Sequence, residues 1–361
     1  MKYFLMGLAG FLMTFHANAI ELTDKLTADV LIAGTYQAIS ADGTDNPDGT
    51  AVPAQVEIDW ELSEKSRLYT KLGFAHGDGL NDDSSFQISP WAANLESDVK
   101  DINGTDRDYL LTAWYRHTFI KKEDQHFDIA LGLIDGTDYL DQNEYSNDEY
   151  TQFMNSALVN APNVFIPSYN PGAALVYGKG AFSTRIAYMR LKENSDGNEG
   201  DYFAAELDYL ISTPLGYGKY RVTLAHTNNS YFALYEDGMV TRKSIVFSFD
   251  QQLGNGIGAF TRFGIQDDKA SIDYKSIISG GLQFEGENWS RTGDTAGLGI
   301  ANLQDGNEGI TRSRVFEVYY RFILNDHFDA TLDVQHMSDE YKNSADDVSG
   351  WVYGLRLVAS L

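Results

Sequence analysis

Apolar and polar residues alternate with a period of two along most of this chain, and the alternating segments are joined by links that are short and long in turn. The clearest segment runs through 54–62. Ala54, Val56, Ile58, Trp60 and Leu62 point one way, and Gln55, Glu57, Asp59 and Glu61 point the other. Successive side chains of a strand face opposite sides of a sheet, so this pattern predicts strands with one apolar and one polar face. We read sixteen of them, at 28–40, 54–63, 66–76, 107–121, 125–135, 171–180, 182–192, 201–212, 218–229, 241–253, 256–267, 273–285, 295–305, 312–325, 327–338 and 349–361. An even number brings both ends of the chain to one side.

The links carry the topological information. After even-numbered segments they are short: Glu64-Lys65, 122–124, Lys179-Gly180, Gly254-Asn255 and Asp326. After odd-numbered segments they are long: 41–53, 77–106, 136–170 and 229–240. Tight turns on one rim and loops on the other are expected of a membrane barrel, whereas a soluble sandwich has no reason to segregate its links. The stretch 286–294 breaks the rule, through either a misplaced boundary or an insertion in the turn. The last segment presents Trp351, Tyr353, Leu355, Leu357, Ala359 and Leu361 on one unbroken apolar face. The fold class predicted is all-β: a 16-stranded antiparallel transmembrane β-barrel with a constriction loop folded inward after the fifth strand. That many strands leave an aqueous channel, while 8–12 would suit a barrel enzyme or an adhesin better.

The N-terminus supports export. Lys2, an apolar run over 3–15 and Ala17-Asn18-Ala19 have the order of a signal peptide, so residues 1–19 are expected to be a cleaved leader and 20–361 a single outer-membrane barrel domain. No later run has the ~20 consecutive apolar residues of a membrane-spanning helix. The chain has no cysteine and a net charge of −25. That charge argues against nucleic-acid partners, which select basic surfaces. The location predicted is the outer membrane of a Gram-negative bacterium, with lipid, lipopolysaccharide and the barrel-assembly machinery as partners, either as a monomer or as a homotrimer.

If the apolar rows such as Phe127/Ile129/Leu131/Leu133, Ile245/Phe247/Phe249 and Phe316/Val318/Tyr320/Phe322 face lipid, the opposite rows face the lumen. Those rows hold Arg67, Lys71, Arg116, Arg185, Arg221, Arg262, Lys275, Arg321 and Arg356, and the acids Glu57, Asp59, Glu61, Asp128, Glu206, Asp208, Asp250, Glu317, Asp329 and Asp333. A cation on the lipid face near the midplane would cost about 2–4 kcal/mol. The link 135–170 has no Lys or Arg but carries Asp135, Asp138, Asp141, Glu144, Asp148 and Glu149 beside Tyr145. Folded inward, it would set a transverse field against the arginine wall. Its middle, 147–160, reads as a short helix with Phe153, Ala157 and Leu158 on one face. Trp114 and Tyr319, with Arg116 and Arg321, are the wall residues expected to stack on sugar rings and bond to hydroxyls.

The run from Leu133 to Asn160, LIDGTDYLDQNEYSNDEYTQFMNSALVN, resembles the signature of carbohydrate-selective porins of the OprB type, with Pro162, Pro167 and Gly172-Ala173 following as in that family. Phe316-Glu-Val-Tyr-Tyr-Arg-Phe322 with Asp333-Val-Gln335 resembles its late strands. The resemblance implies a 16-stranded porin that admits small hydrophilic solutes, sugars above all, by passive diffusion without a cofactor. The chain ends on Leu361, where the family commonly ends on Phe.

Two other readings compete: a general, weakly cation-preferring porin, and a barrel enzyme or adhesin with no conducting pore. Against an enzyme, there is no Gly-x-Ser-x-Gly elbow, His-Glu-x-x-His pair or Walker-type loop. The acidic stretches 42–48 and 78–83 lack the spacing and terminal Glu of a calcium loop, so they read as solvated tips rather than metal sites.

Overall fold

The computed structural model describes residues 19–41, 46–81, 83–93, 99–343 and 347–361, so nearly all of the expected leader and the acidic tip at 42–45 lie outside the described residues. Sixteen strands form one closed antiparallel wall: β1 (Leu26–Ala41), β2 (Ala54–Ser63), β3 (Ser66–Phe74), β4 (Leu110–Lys122), β5 (Gln125–Ile134), β6 (Asn170–Lys179), β7 (Phe182–Leu191) and β8 (Gly200–Thr213), then β9 (Gly216–Thr227), β10 (Lys243–Gln252), β11 (Ile257–Gln266), β12 (Ser276–Glu285), β13 (Thr295–Gln304), β14 (Ile310–Asn325), β15 (Phe328–Tyr341) and β16 (Val348–Ser360). β16 closes on β1 in a register running from Leu31↔Ser360 to Ala41↔Gly350.

Two short strands complete the wall. Ile20–Thr23 pairs with the start of β1 below the C-terminus, where Val30 and Leu361 exchange backbone hydrogen bonds of 2.9 Å. Asp48–Ala51 continues the line of β2 beyond Val52-Pro53, where proline has no N–H to offer the ladder.

The two faces differ as the alternation predicts. Leu207, Phe182 and Ile300 are 63%, 66% and 59% exposed, as befits side chains that meet lipid rather than water. Side chains on the opposite rows, including Arg185, Glu206, Arg221, Arg262, Glu317 and Arg356, are almost wholly buried inside. Two-residue turns at Glu64-Lys65, Glu123-Asp124, Gly180-Ala181, Pro214-Leu215 and Asp326-His327 share one rim.

The exceptional link 286–294 is a genuine insertion. It holds a 3-10 turn (Gly286–Trp289) and is pinned by Asp294, which accepts from Arg291 Nε, Tyr320 OH and Ile323 N at 2.8–2.9 Å. Strand ends shift by up to three residues from the sequence reading, and three departures have a visible cause. β4 starts at Leu110 because Tyr109 sits at φ 61°, which breaks the extended chain. β12 starts at Ser276, which leaves Lys275 outside the wall and paired with Asp268 at 2.7 Å. The helix expected over 147–160 shrinks to four residues, α1 (Ser156–Val159), with Asn155 capping Ala157 N at 3.0 Å. Before it, the Asp148 and Gln152 side chains bind nearby backbone and favour turns over helix.

Candidate functional site

The link 135–169 starts from β5 and is held by side chains pointing inward from the far wall. Asp135 closes its base by accepting from Thr137 N and Ser168 Oγ, both at 3.0 Å. From β11, Arg262 donates to Asp141 Oδ1 at 2.8 Å, to Ser146 O at 2.5 Å and to Val159 O at 3.1 Å, and so joins points at both ends of the stretch 141–159. Glu206 on β8 accepts from Asp141 N at 2.8 Å, and Asp250 on β10 accepts from Glu144 N at 3.2 Å. Glu317 on β14 takes Met154 N at 2.5 Å and Asn155 N at 3.0 Å. Arg356 on β16 donates to Glu149 O at 2.6 Å and Gln152 O at 3.1 Å. Charged side chains thus satisfy loop backbone that would otherwise be buried without partners.

Apolar packing seals the same seam. Phe153 lies 5.0 Å edge-on from Tyr319 and 5.4 Å from Phe260, ring centre to ring centre. Glycines on the wall make the room. A Cβ on Gly299 would lie 2.9 Å from Phe153, and one on Gly258 would lie 2.2 Å from the Tyr145 ring. In a strand, glycine often marks close approach of another group, and it does so here.

A second link, 75–109, also reaches the inner wall, which the sequence reading did not anticipate. Pro90 O accepts from Gln37 on β1 at 3.1 Å and from Gln335 on β15 at 2.8 Å. Trp91 is fully buried, donates Nε1 to Glu149 O at 3.1 Å and meets Tyr150 edge-on. Ala92 N bonds to Met154 O at 2.7 Å, so the two loops brace each other. The buried Gln37 and Gln335 among inward strand residues are the sequence signal for this contact, and it is a weak one.

On the opposite side, at β2–β4, Lys71 and Glu57 stay partly accessible. Lys71 bonds to Glu57 at 3.1 Å. Lys71 is within electrostatic reach of the loop carboxylates Asp138 and Glu149. Arg67 pairs with Asp59, and Arg116 lies beside it in the register with its guanidinium 5.9 Å from the Trp114 ring. Burial pushes the Asp138 carboxyl up to about 7, against the pull of Lys71 and with Asp135 adding to the rise. Burial also lifts Glu149 to about 7, with Asp148 next in effect.

The residues singled out in the sequence therefore separate into groups. Asp138 and Glu149 come within electrostatic reach of Lys71, while Arg67 and Arg116 face each other four residues along β3 from it. Arg262, Arg356, Asp141 and Tyr145 lie in the seam between loop and wall. Asp148 holds the loop turn, accepting from Tyr150 N at 2.8 Å and Thr151 Oγ1 at 2.6 Å, while Glu144 stays exposed. Arg185 pairs with Glu206 and Asp208, Arg221 with Asp250 at 2.5 Å, and Arg321 with Asp329 at 2.7 Å.

Stacking of solute on Trp114 and Tyr319 needs correction. Trp114 is 3% exposed and stacked on Tyr69 at 4.9 Å, and Tyr319 is 1% exposed beneath Phe153. Protein already covers the face that each ring would offer.

The model of the family described as "Carbohydrate-selective porin, OprB family" matches residues 54–357. A protein of Aquifex aeolicus (strain VF5), described as uncharacterized, is 30% identical over 297 residues, covering 81% of this chain and 83% of that one. The high-pH structure of Pseudomonas putida OprB has the same fold, with a TM-score of 0.72 at 13% identity, covering 93% of this chain and 94% of that one. Salmonella typhi OmpF in complex with daunomycin gives a TM-score of 0.58 at 10% identity, covering 95% of this chain and 100% of that one.

Proposed function

This chain belongs to the carbohydrate-selective porin family OprB, an outer-membrane channel for small solutes, and from that premise we propose that sugars cross it by passive diffusion through an eyelet framed by Glu57, Lys71, Arg116, Asp138 and Glu149. The observation that carries this reading is Lys71 on the wall, 3.1 Å from Glu57 and facing the acidic loop with Asp138 and Glu149. Charges of both signs facing each other form a transverse field that aligns polar hydroxyls. They also supply donors and acceptors in quantity, as a solute with many hydroxyls requires. The surplus of carboxylates on the loop repels anions. Arg262, Arg356, Glu206, Glu317 and the packed Phe153, Tyr145 and Tyr319 have a different task, which is to hold the loop in place. Residues 1–19 act as the export leader, residues 20–361 as the mature barrel, and lipopolysaccharide and the assembly machinery as its envelope partners.

Liposome swelling with glucose, a neutral amino acid of similar size and succinate tests the reading. Glucose is expected to enter fastest and succinate slowest, and Lys71→Met is expected to reduce the preference for glucose. Equal rates for glucose and the amino acid, unchanged in the variant, would identify a general porin.

A further inference from the structure

A second constellation lies away from the eyelet, at the end of β10–β12 where the long loops gather. Here a cavity of about 380 Å³ opens between both inward loops and the wall, lined among others by Ile88, Val159, Asn163, Arg242, Gln266 and Asp273. None of these residues belongs to the eyelet. Sites for small molecules run from about 300 to 1,000 Å³, so this one has room for a single sugar ring and little more.

Its polar groups are left in an unusual state. Asn163 is 1% exposed, yet neither its amide nitrogen nor its amide oxygen has a partner among the described residues. Keeping a donor and an acceptor buried and unused is costly unless a ligand or water completes them. The wall behind is shaped to keep that amide in place. A Cβ on Gly264 would lie 2.5 Å from Asn163 Oδ1 and 2.7 Å from Nδ2. Arg242 is held across the Phe165 and Tyr231 rings, its carbon 4.4 Å and 5.2 Å from their centres, and one nitrogen donates to Gln266 Oε1 at 2.7 Å. Its Nε, like the Asn163 amide, has no partner among the described residues.

We propose that this cavity is a docking subsite for one neutral hexopyranose, entered from the loop side before the eyelet. A hydroxyl both donates and accepts, which matches the free amide of Asn163. Arg242 and Asp273 add a charge-assisted donor and acceptor of cancelling charge, so a neutral ligand fits better than an ion. Ile88 and Val159 offer apolar surface to the C–H groups of the ring. The inference rests on the sugar reading above and adds a place where the sugar is concentrated ahead of the constriction.

The test is uptake of labelled D-glucose into proteoliposomes over a wide range of concentration, with native protein, Asn163→Leu and Gly264→Ala. Gly264→Ala leaves every polar group present and only displaces the amide. In the native protein, uptake is expected to saturate. In both variants the glucose concentration for half-maximal uptake should rise about tenfold, as expected when a site loses a hydrogen-bonding side chain. Ion conductance and maximal glucose flux should be kept, which also shows that the variants have folded. Unchanged half-saturation in both variants, with glucose still entering, would overturn the subsite and leave the sugar porin standing. Ion conductance without any glucose entry through the native protein would overturn both.

Discussion

At the scale of the residue, the two loop carboxylates of the proposed eyelet are expected to make selectivity depend on pH. Asp138 and Glu149 are both held at about 7 by burial. Both values stand above those of the unfolded chain, so their stabilising contribution is complete below about pH 4 and is lost as pH rises through about 7. Over that upper range the carboxylates become charged in the folded barrel, and the loop turns more negative toward Lys71. Cation preference, read as reversal potential across a salt gradient, is therefore expected to increase between about pH 5 and pH 9. Asp138→Asn combined with Glu149→Gln should flatten the curve, and a full pH response surviving in that double variant would place the titrating groups elsewhere. A second residue, Arg262, joins distant points of the loop from a fully buried position. Arg262→Met leaves Asp141 buried without its ion partner, a change that typically costs about 3–5 kcal/mol. The variant barrel should unfold at lower denaturant concentration and show noisier single-channel currents, because the loop has lost its central tether. Native-like noise and midpoint would mean that the remaining contacts suffice.

At the scale of the element, the loop is held by shape as well as by charge. Gly299 leaves the space that Phe153 and Leu158 occupy. Gly299→Leu is expected to push the α1 segment off β13 toward the lumen, and overpacking of this kind costs about 1–3 kcal/mol. Single-channel conductance should fall while the strand signal in circular dichroism stays unchanged. A conductance equal to that of the native channel would show that the loop backbone does not narrow the path. The shortened helix makes a related point. The stretch 147–160 has helical spacing of apolar residues, but its Asn, Asp and Gln side chains bind the backbone locally, and only Ser156–Val159 coil.

At the scale of the whole molecule, the surplus of acidic residues acts beyond the eyelet. A net charge of −25 surrounds the pore with negative potential, and mobile ions screen it beyond about 10 Å at 0.1 M salt. Discrimination of glucose over succinate should therefore weaken as salt is raised, while the glucose rate itself stays nearly constant. Swelling assays in dilute and concentrated salt would check this. A preference independent of ionic strength would assign the exclusion of anions to the eyelet alone, where charges sit too close for salt to intervene.

The barrel was legible in the amino-acid order because strand alternation and link length are local properties, written over a few residues at a time. Ala54–Ser63 shows its two faces without reference to any neighbour, and sixteen such segments with links of alternating length admit one closed sheet. The family could be read for a similar reason, since its most specific motif lies in one continuous run after β5. The roles of individual lumen residues depended on distant parts of the chain. Arg116 and Arg262 look alike in sequence, both arginines on inward rows. Only the path of the loop left one beside Trp114 and sealed the other against Asp141. Trp114 and Tyr319 were read as open to solute because their strands turn them inward. Tyr69 and Phe153, brought in from other elements, cover them. Periodicity decides which side of a wall a side chain faces, but what lies against it there is settled by contacts between residues far apart in the chain.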